Sequence, residues 1–560
     1  MNNPGVGGLE RVHQDTWLQI AFIRLREYLT LPNLVGSAGV LCALFLLIAL
    51  PEQWNIRIPI YFVLFIWTLL RPRVALYLMP IAVPWGSVDT LDIAGLNLNS
   101  ADLLVVFLCL GWLIGFTLRP VSVYGQVGSK DREGWNVSGY LVAAILLLIG
   151  TMFLSIKGAT SISLSLKEIS KWLEFLVLVL LGAQYVRTRK QIWIIIVMVC
   201  LAGITQAAYG YIQAVFDLGP EAFIRAANLR VYGTFGQPNP YAGYINIPLS
   251  IALALMLLGN NWTTRLLAGL AAAILGGAEY LTQSRGGQIA LVVVVLFVVI
   301  VGMPRLRKPL ALLGLFSLGI VALFLVEWIP AYVLTPVFSK LGLTQISFTN
   351  PSADDYPTAE RLAHWIAGLR MFFDHPLTGV GIGNYPAVYS QYYVTIFVNS
   401  LGHAHNYYIN IAAETGVIGL TAFLLFLLAI FVAGGSAVRA VSKQYMQAKA
   451  QSPGVPPVIE KPLGLRNKLI LLAQPWEMAA YYRPQGAWAV VAHLKNDRAL
   501  AIGLLAALLS VCVHNLVDDL YVHSMTNLIA LLLVALIRLE GVTASDVGNG
   551  GQFDYTQPAK

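Results

Sequence analysis

The sequence predicts an all-α polytopic membrane protein, with about 12–14 transmembrane helices and one long, ordered outer loop. Three observations predict it. Of the 560 residues, 57% are hydrophobic and only 11% are charged, whereas an ordinary soluble chain is roughly 25% charged. The hydrophobic residues gather in runs long enough to cross a bilayer. The connections between runs alternate in Lys/Arg content, the charge pattern of a multi-pass chain.

Taken in order, residues 1–33 are polar and mixed, with Arg11, Arg24 and Arg26 and no cleavable signal pattern, and read as a cytoplasmic N-terminal segment. Membrane helices 1–11 occupy 34–329, with runs at 34–50, 56–70, 74–88, 101–118, 138–156, 169–186, 191–215, 239–258, 265–282, 287–302 and 309–329. The second and third are short and divided only by Arg71-Pro72-Arg73, so the total falls by one or two if they merge. An outer loop follows at 330–405. A further span at 406–433, a cytoplasmic loop at 434–498, two last spans within 499–540 and a disordered cytoplasmic tail at 541–560 complete the chain.

With the N-terminus inside, the inner connections hold Arg71, Arg73, Arg119, Lys130, Arg132, Arg187, Arg189, Lys190, Arg305, Arg307 and Lys308. The outer ones carry acids such as Asp89, Asp92, Asp354 and Asp355. Both termini are then cytoplasmic. The net charge of +8 reflects those inner loops and excludes nucleic acid as the implied partner. Cys42, Cys109, Cys200 and Cys512 are scattered through apolar runs without CxxC spacing, which points away from structural disulfides and zinc. Two connections are long. In 330–405, Leu362, Trp365, Ile366, Leu369 and Phe373 recur at helical spacing, so 359–373 reads as a surface-lying lid helix. In 434–498, the QSPGVPP stretch reads as a flexible linker and 465–482 as an amphipathic helix.

Polar residues that are costly in a membrane collect at the outer mouths. Arg230 precedes the GTFGQPNPYAGY turn; it fits a solvated arginine beside a turn capped by Asn239, or an anion site. The Thr282–Gly287 turn places Arg285 at a mouth, as a snorkelling side chain or a ligand group. His403, His405 and Asn406 open the 406–433 span. Glu414 lies nine residues beyond His405, about 13 Å deeper on a continuous helix, and needs a cation or a donor there. It reads as an orienting carboxylate or as part of a structural ion pair. Gly416 and Gly419 form a small face for close helix contact. His514, Asn515, Asp518, Asp519 and His523 gather between the last two spans, where a His/Asp metal site is conceivable but not diagnostic by spacing. Gly379-Val-Gly-Ile-Gly383-Asn follows no strand and reads as a turn, not a nucleotide loop. Ser284 lacks the GxSxG context of a hydrolase elbow.

These pieces together resemble the O-antigen ligase and O-antigen polymerase family. The resemblance rests on Arg230 with GTFGQPNPYAGY, on Ser284-Arg285-Gly286-Gly287, on Glu360-Arg361 and on the stretch from Asp374 to Asn384. It rests above all on His405-Asn406, nine residues, then Gly416-x-x-Gly419. The resemblance implies a GT-C-like membrane glycosyltransferase in the bacterial inner membrane that works at its outer face. It implies an undecaprenyl-pyrophosphate-linked glycan as donor and a lipid or glycan as acceptor. It also implies contact with membrane lipids and other polysaccharide-assembly proteins, and neither cofactor nor metal. Arg230 and Arg285 would hold the diphosphate and His405 would act as base. His403, Asn406, Glu414, Asn239, Arg361, His514 and Asp518 would support them. Ligase and polymerase are not separated by these motifs. A bicarbonate or other small-solute transporter is the alternative of another class. A transporter shows broken helices in two related halves with a site at the midplane, whereas this sequence shows no internal repeat and gathers its polar groups at one face.

Overall fold

The computed structural model describes residues 54–88, 90–93, 96–117, 137–225, 228–315, 347–351, 355–452 and 487–548. The N-terminal segment with the first expected span, most of the eleventh span, the 465–482 segment, nearly all of the QSPGVPP linker and the end of the tail lie outside them. Two compact units divide the chain: one is Met1–Val63 with Pro457–Arg483, the other Leu64–Pro456 with Pro484–Lys560. Of the first, 54–63 are described and begin a helix; the second carries all that follows.

Besides a helical stretch at 307–315, the described helices are α1 (Trp54–Leu70), α2 (Arg73–Trp85), α3 (Ser100–Thr117), α4 (Gly139–Ser155), α5 (Ile162–Tyr185), α6 (Arg189–Phe216), α7 (Pro238–Leu258), α8 (Trp262–Thr282), α9 (Arg285–Gly302), α10 (Tyr356–Asp374), the single turn α11 (Tyr385–Val388), α12 (Tyr407–Gln451), α13 (Ala487–His514) and α14 (Met525–Gly548). Two small antiparallel hairpins, β1 (Thr90–Ile93) with β2 (Leu96–Asn99) and β3 (Ile224–Arg225) with β4 (Asn228–Leu229), sit in the connections. The expected apolar runs inside the described residues are all helices. Among those residues, six are long and apolar enough to cross a membrane: Gly139–Gly158, Arg189–Phe216, Pro238–Leu258, Arg285–Gly302, Tyr407–Gln451 and Val490–His514. The protein is an all-α multi-pass membrane protein.

The central helix is α7, buried along nearly its whole length between α8, α9 and α13. Proline at its first turn lacks an N–H that would be an orphan anyway. A second core forms where α12 meets α4, α13 and α14. There Trp172 of α5 packs edge-on against Phe423 and Phe426 of α12, and Tyr521 closes the group. Such ring pairs add about 0.5–1.5 kcal/mol each beyond their buried area.

The two ends of this bundle differ in chemistry. At one end arginines close helix C-termini: Arg498 donates to Val301 and Gly302 carbonyls, Arg307 to Ile300, Arg538 to Val186 and Arg265 to Met256. Arg189 Nε meets the buried Asp497 carboxylate at 2.8 Å, and Trp193 donates to the same group at 3.1 Å. Basic side chains here satisfy carbonyls that a helix end leaves without partners. The histidines and the Arg285 turn lie at the other end.

That second end is held by the strap from His375 to Asn384. The helix α12 is not regular: Gly416 takes φ 65° and ψ −167°, a conformation essentially confined to glycine. The strap docks into this break. Val380 N–H donates to the Ala413 carbonyl, Gly381 N–H to Glu414, and Val417 N–H to Pro376. A Cβ at Gly379 would strike the backbone of Glu414, and one at Gly416 the backbone of Leu377. The glycines of this stretch serve chain-to-chain contact. Gly416 therefore meets a loop rather than the helix face expected for it. Asn384, fully buried, then ties the strap to α5: its Oδ1 accepts from Ser161 N–H at 2.6 Å and its Nδ2 donates to Ser165 Oγ at 2.9 Å. Asn384→Ala strands both groups, each costing about 1–3 kcal/mol, so its melting temperature in detergent is expected to fall clearly below that of the parent protein. An unchanged melting temperature would show that the strap is held elsewhere.

Candidate functional site

The site is assembled from three connections at one end of the bundle. In the first, α8 ends at Thr282, and Gln283 turns the chain with φ 51°. Ser284 caps α9 by accepting from Gly287 N–H at 3.3 Å. Arg285 is the first residue of α9 and is exposed. A cation there opposes the helix dipole by about 0.3–1 kcal/mol, so it adds nothing to helix stability but makes the turn strongly attractive to anions. Arg230 grips the same turn: its Nε donates to the Thr282 carbonyl at 3.0 Å and its Nη2 to Asn239 Oδ1 at 3.1 Å. Asn239 is thus the partner of Arg230 and not a cap; Gln237 occupies the cap position of α7, without a side-chain bond.

The second connection is Leu401–Asn406. Leu401, Gly402 and His405 all have positive φ, and His405 sits at 51°. Asn406 caps α12, accepting from Tyr408 and Ile409 N–H at 3.0 and 3.1 Å. Asn410 reaches back to Ala404 N–H at 3.0 Å. His403 Nδ1 accepts from His405 N–H at 3.0 Å, and Trp365 Nε1 donates to the His405 carbonyl at 3.2 Å. These bonds hold a left-handed histidine that isolated chains rarely adopt.

The third connection runs from His514 to Ser524. Tyr407 N–H is shared by the Asn515 and Asp518 carbonyls at 2.9 and 3.2 Å, which joins this loop to the start of α12. Asp518 Oδ1 lies 3.5 Å from His405 Nδ1 and 3.9 Å from His403 Nε2. Burial alone would raise the Asp518 carboxyl; contact with His405 and the neighbouring His403 outweighs it and holds Asp518 well below the usual carboxylate range. The His514 ring packs on Gly286, where an added Cβ would come within 3.0 Å of it. The loop therefore touches both the Arg285 turn and the histidine strand.

Helix α10 closes the group. Burial, and then the charges of His405 and His403, lower His364 to about 3, so it is a neutral ring at pH 7. It stacks on Tyr389 at 4.8 Å and meets His405 edge-on at 5.4 Å. Burial, then His405, and least of all the charge of Arg361 one turn earlier, lower His403. Arg361 Nε, His364 Nε2, both ring nitrogens of His405 and His514 Nδ1 are buried without a hydrogen-bond partner among the described residues. Buried polar atoms are nearly always paired. A cluster of unpaired donors and acceptors marks a place built for water or a ligand.

Glu414 is not part of this cluster. Its Oε1 accepts from Tyr385 N–H at 2.9 Å, on the strap. Among the described residues it makes neither a bond to His405 nor a structural ion pair; its partner is the first N–H of α11. His403 Nε2, His405 Nδ1 and Asp518 Oδ1 fall within 4.8 Å of one another, a spacing compatible with a metal. His403 would have to change tautomer to serve as a ligand there. Its Nδ1 lone pair is taken by His405 N–H, so Nε2 carries the proton and offers no lone pair. Sequence reasoning missed Trp365, His364 and Asn410. Trp365 reads as one more apolar residue of the lid stripe, and only its indole N–H, which needs a partner when buried, hints at more.

Residues 270–424 match the family model described as O-Antigen ligase. A search of curated proteins returns no match. The matched segment contains Arg285, Arg361, His403, His405 and Asn406, and the fold brings Arg230, His514 and Asp518 from outside it to the same end. Through residues 270–424 the chain is similar to the O-antigen ligase family.

Proposed function

We propose that the protein transfers a glycan from an undecaprenyl-pyrophosphate donor to an acceptor hydroxyl at the outer face of the bacterial inner membrane. The observation that carries this reading is the juxtaposition just described: the His405 ring, its Nδ1 3.5 Å from Asp518, in contact with a loop that also packs on the Arg285 turn. In the proposed reaction the C1–O bond to the diphosphate breaks as the acceptor oxygen attacks from the opposite side, so the anomeric centre inverts. The leaving diphosphate gains negative charge and needs no proton. Arg230, Arg285 and the N-terminus of α9 would bear that charge, with planar, permanently charged donors suited to phosphate oxygens. An unprotonated ring nitrogen of His405 would take the hydroxyl proton, and Asp518 would steady the imidazolium that results. No step requires a metal. Arg361 and His364, on the lid, would line the acceptor side. That the polar groups gather at one end, and not midway along the helices, favours this reading over solute transport.

The clamp is tested with Arg285→Lys. Lysine keeps the charge but loses the fork. Glycan attachment, scored on gels from cells and with purified protein and lipid-linked donor, is expected to drop at least tenfold with normal membrane insertion. Full activity of the lysine variant would remove Arg285 from the diphosphate site.

A further inference from the structure

A second polar cluster lies at the same end of the bundle, where α3, α5 and α14 converge. Asp102 of α3 and Glu174 of α5 face each other with their carboxyl groups in mutual hydrogen bond. Two carboxylates offer no donor, so this contact holds one shared proton. Ser524 Oγ donates to Asp102 Oδ1 at 2.8 Å and accepts from Asn99 Nδ2 at 2.7 Å. Asn99 N–H donates to Asp102 Oδ2 at 3.0 Å. From α14, Asn527 Nδ2 donates to Glu174 Oε2 at 2.8 Å. Asn527 is fully buried, and its Oδ1 has no hydrogen-bond partner among the described residues. The amide that meets Glu174 thus keeps one buried carbonyl oxygen unpaired.

The wider surroundings are also acidic. Glu168 and Asp519 stand nearby and Glu414 is within electrostatic reach, while Lys171 answers them with one ammonium, 2.6 Å from Glu168 and bonded to the Tyr521 carbonyl at 3.2 Å. Buried carboxylates in excess of buried cations require neutralisation, by protons or by a positive ion. All the available donors are oxygens, the set preferred by hard cations over zinc or copper. Nothing in the glycan-transfer reaction uses these residues.

We infer that Asp102, Glu174, Ser524 and Asn527 form a binding site for a hard, oxygen-seeking metal cation, which enters as the shared proton leaves. Ser524 ends the loop that begins at His514 and carries Asp518. An ion here would brace that loop from the side away from the histidines, so occupancy would stiffen the Asp518 arm without touching it.

The test uses the full-length protein in lipid nanodiscs, stripped with chelator and titrated separately with calcium, magnesium and sodium chlorides at constant ionic strength. One of the three is expected to give a saturable rise of about 1–3 °C in melting temperature, for calcium in the millimolar range. The rise should disappear in Glu174→Gln and in Asn527→Ala and persist in His405→Asn. Glu174→Gln can still share a hydrogen bond with Asp102, and Asn527→Ala leaves both acids intact, so at least one of the pair is expected to remain monodisperse and readable. A protein indifferent to all three ions, a rise that survives in both variants, or one lost only in His405→Asn, would each overturn the assignment; the last would move the ion to the histidines. Because the readout is binding, it stands apart from any result on glycan transfer.

Discussion

His405→Asn is expected to lower the proposed glycan transfer by roughly 10²–10⁴-fold, the usual contribution of a general base, while the protein stays folded and inserted. Asparagine is the informative substitution because residue 405 sits at φ 51°, where asparagine is far better tolerated than alanine. Alanine would confound lost chemistry with a strained turn. The neighbours that hold the main chain, the Trp365 indole and the His403 ring, are undisturbed by either change. Transfer from a purified lipid-linked donor measures the rate, and thermal unfolding in the same detergent measures integrity. Activity within a few-fold of the parent enzyme would remove His405 from the chemistry and leave the histidine cluster without its proposed role. Asp518→Asn offers a graded companion: it keeps the shape and loses the charge that steadies the imidazolium, so it should impair transfer less than loss of the ring.

Gly416→Ala is the change expected to harm the fold most. The backbone of Gly416 alone costs a side chain about 1–3 kcal/mol. The added Cβ also meets the main chain of Leu377, which has no flexible end to swing away. The strap must then lift, breaking the bonds from Val380 and Gly381 to α12 and exposing the Glu414 carboxylate. Since Asn384 clamps the same strap to α5, the disturbance spreads to α5 as well. Inserted, protease-resistant protein should fall sharply for Gly416→Ala, and a double variant with Asn384→Ala should lose little more, because both release one element. Near-normal yield and melting temperature for Gly416→Ala would show that the break in α12 is not needed.

Much of this was legible in the sequence because membrane segments declare themselves. Long apolar runs need no tertiary context, and the expected spans within the described residues coincide with helices to within a few residues at most boundaries. The helix over 359–373 was equally plain from its apolar stripe. The convergence of Arg285, His405 and Asp518 was inferable only in outline, from alternation of the mouths. What the sequence hid depends on side-chain geometry across distant segments. Glu414 looks like a membrane carboxylate in need of a cation, yet a loop N–H some thirty residues upstream satisfies it. Gly416 and Gly419 look like a helix-packing pair, yet Gly416 exists to break the helix. Asn239 sits where a cap belongs, and serves Arg230 instead. In each case the residue type signalled an unusual local demand, and only the fold revealed which partner met it.

The break at Gly416 also fixes how far α12 must travel. From Val417 to Gln451 the helix continues without interruption, about 50 Å at 1.5 Å per residue. The hydrocarbon core of a bilayer is only ~30 Å thick. The final third of α12 therefore extends beyond the hydrocarbon, with Arg439, Lys443 and Lys449 exposed along it. The segment expected to be a loop from residue 434 begins as a rigid rod, and α13 starts well before residue 499 in answer to it. The basic residues of that rod thus lie at the end of the bundle away from the histidines, where Lys449 comes within electrostatic reach of Lys495 on α13.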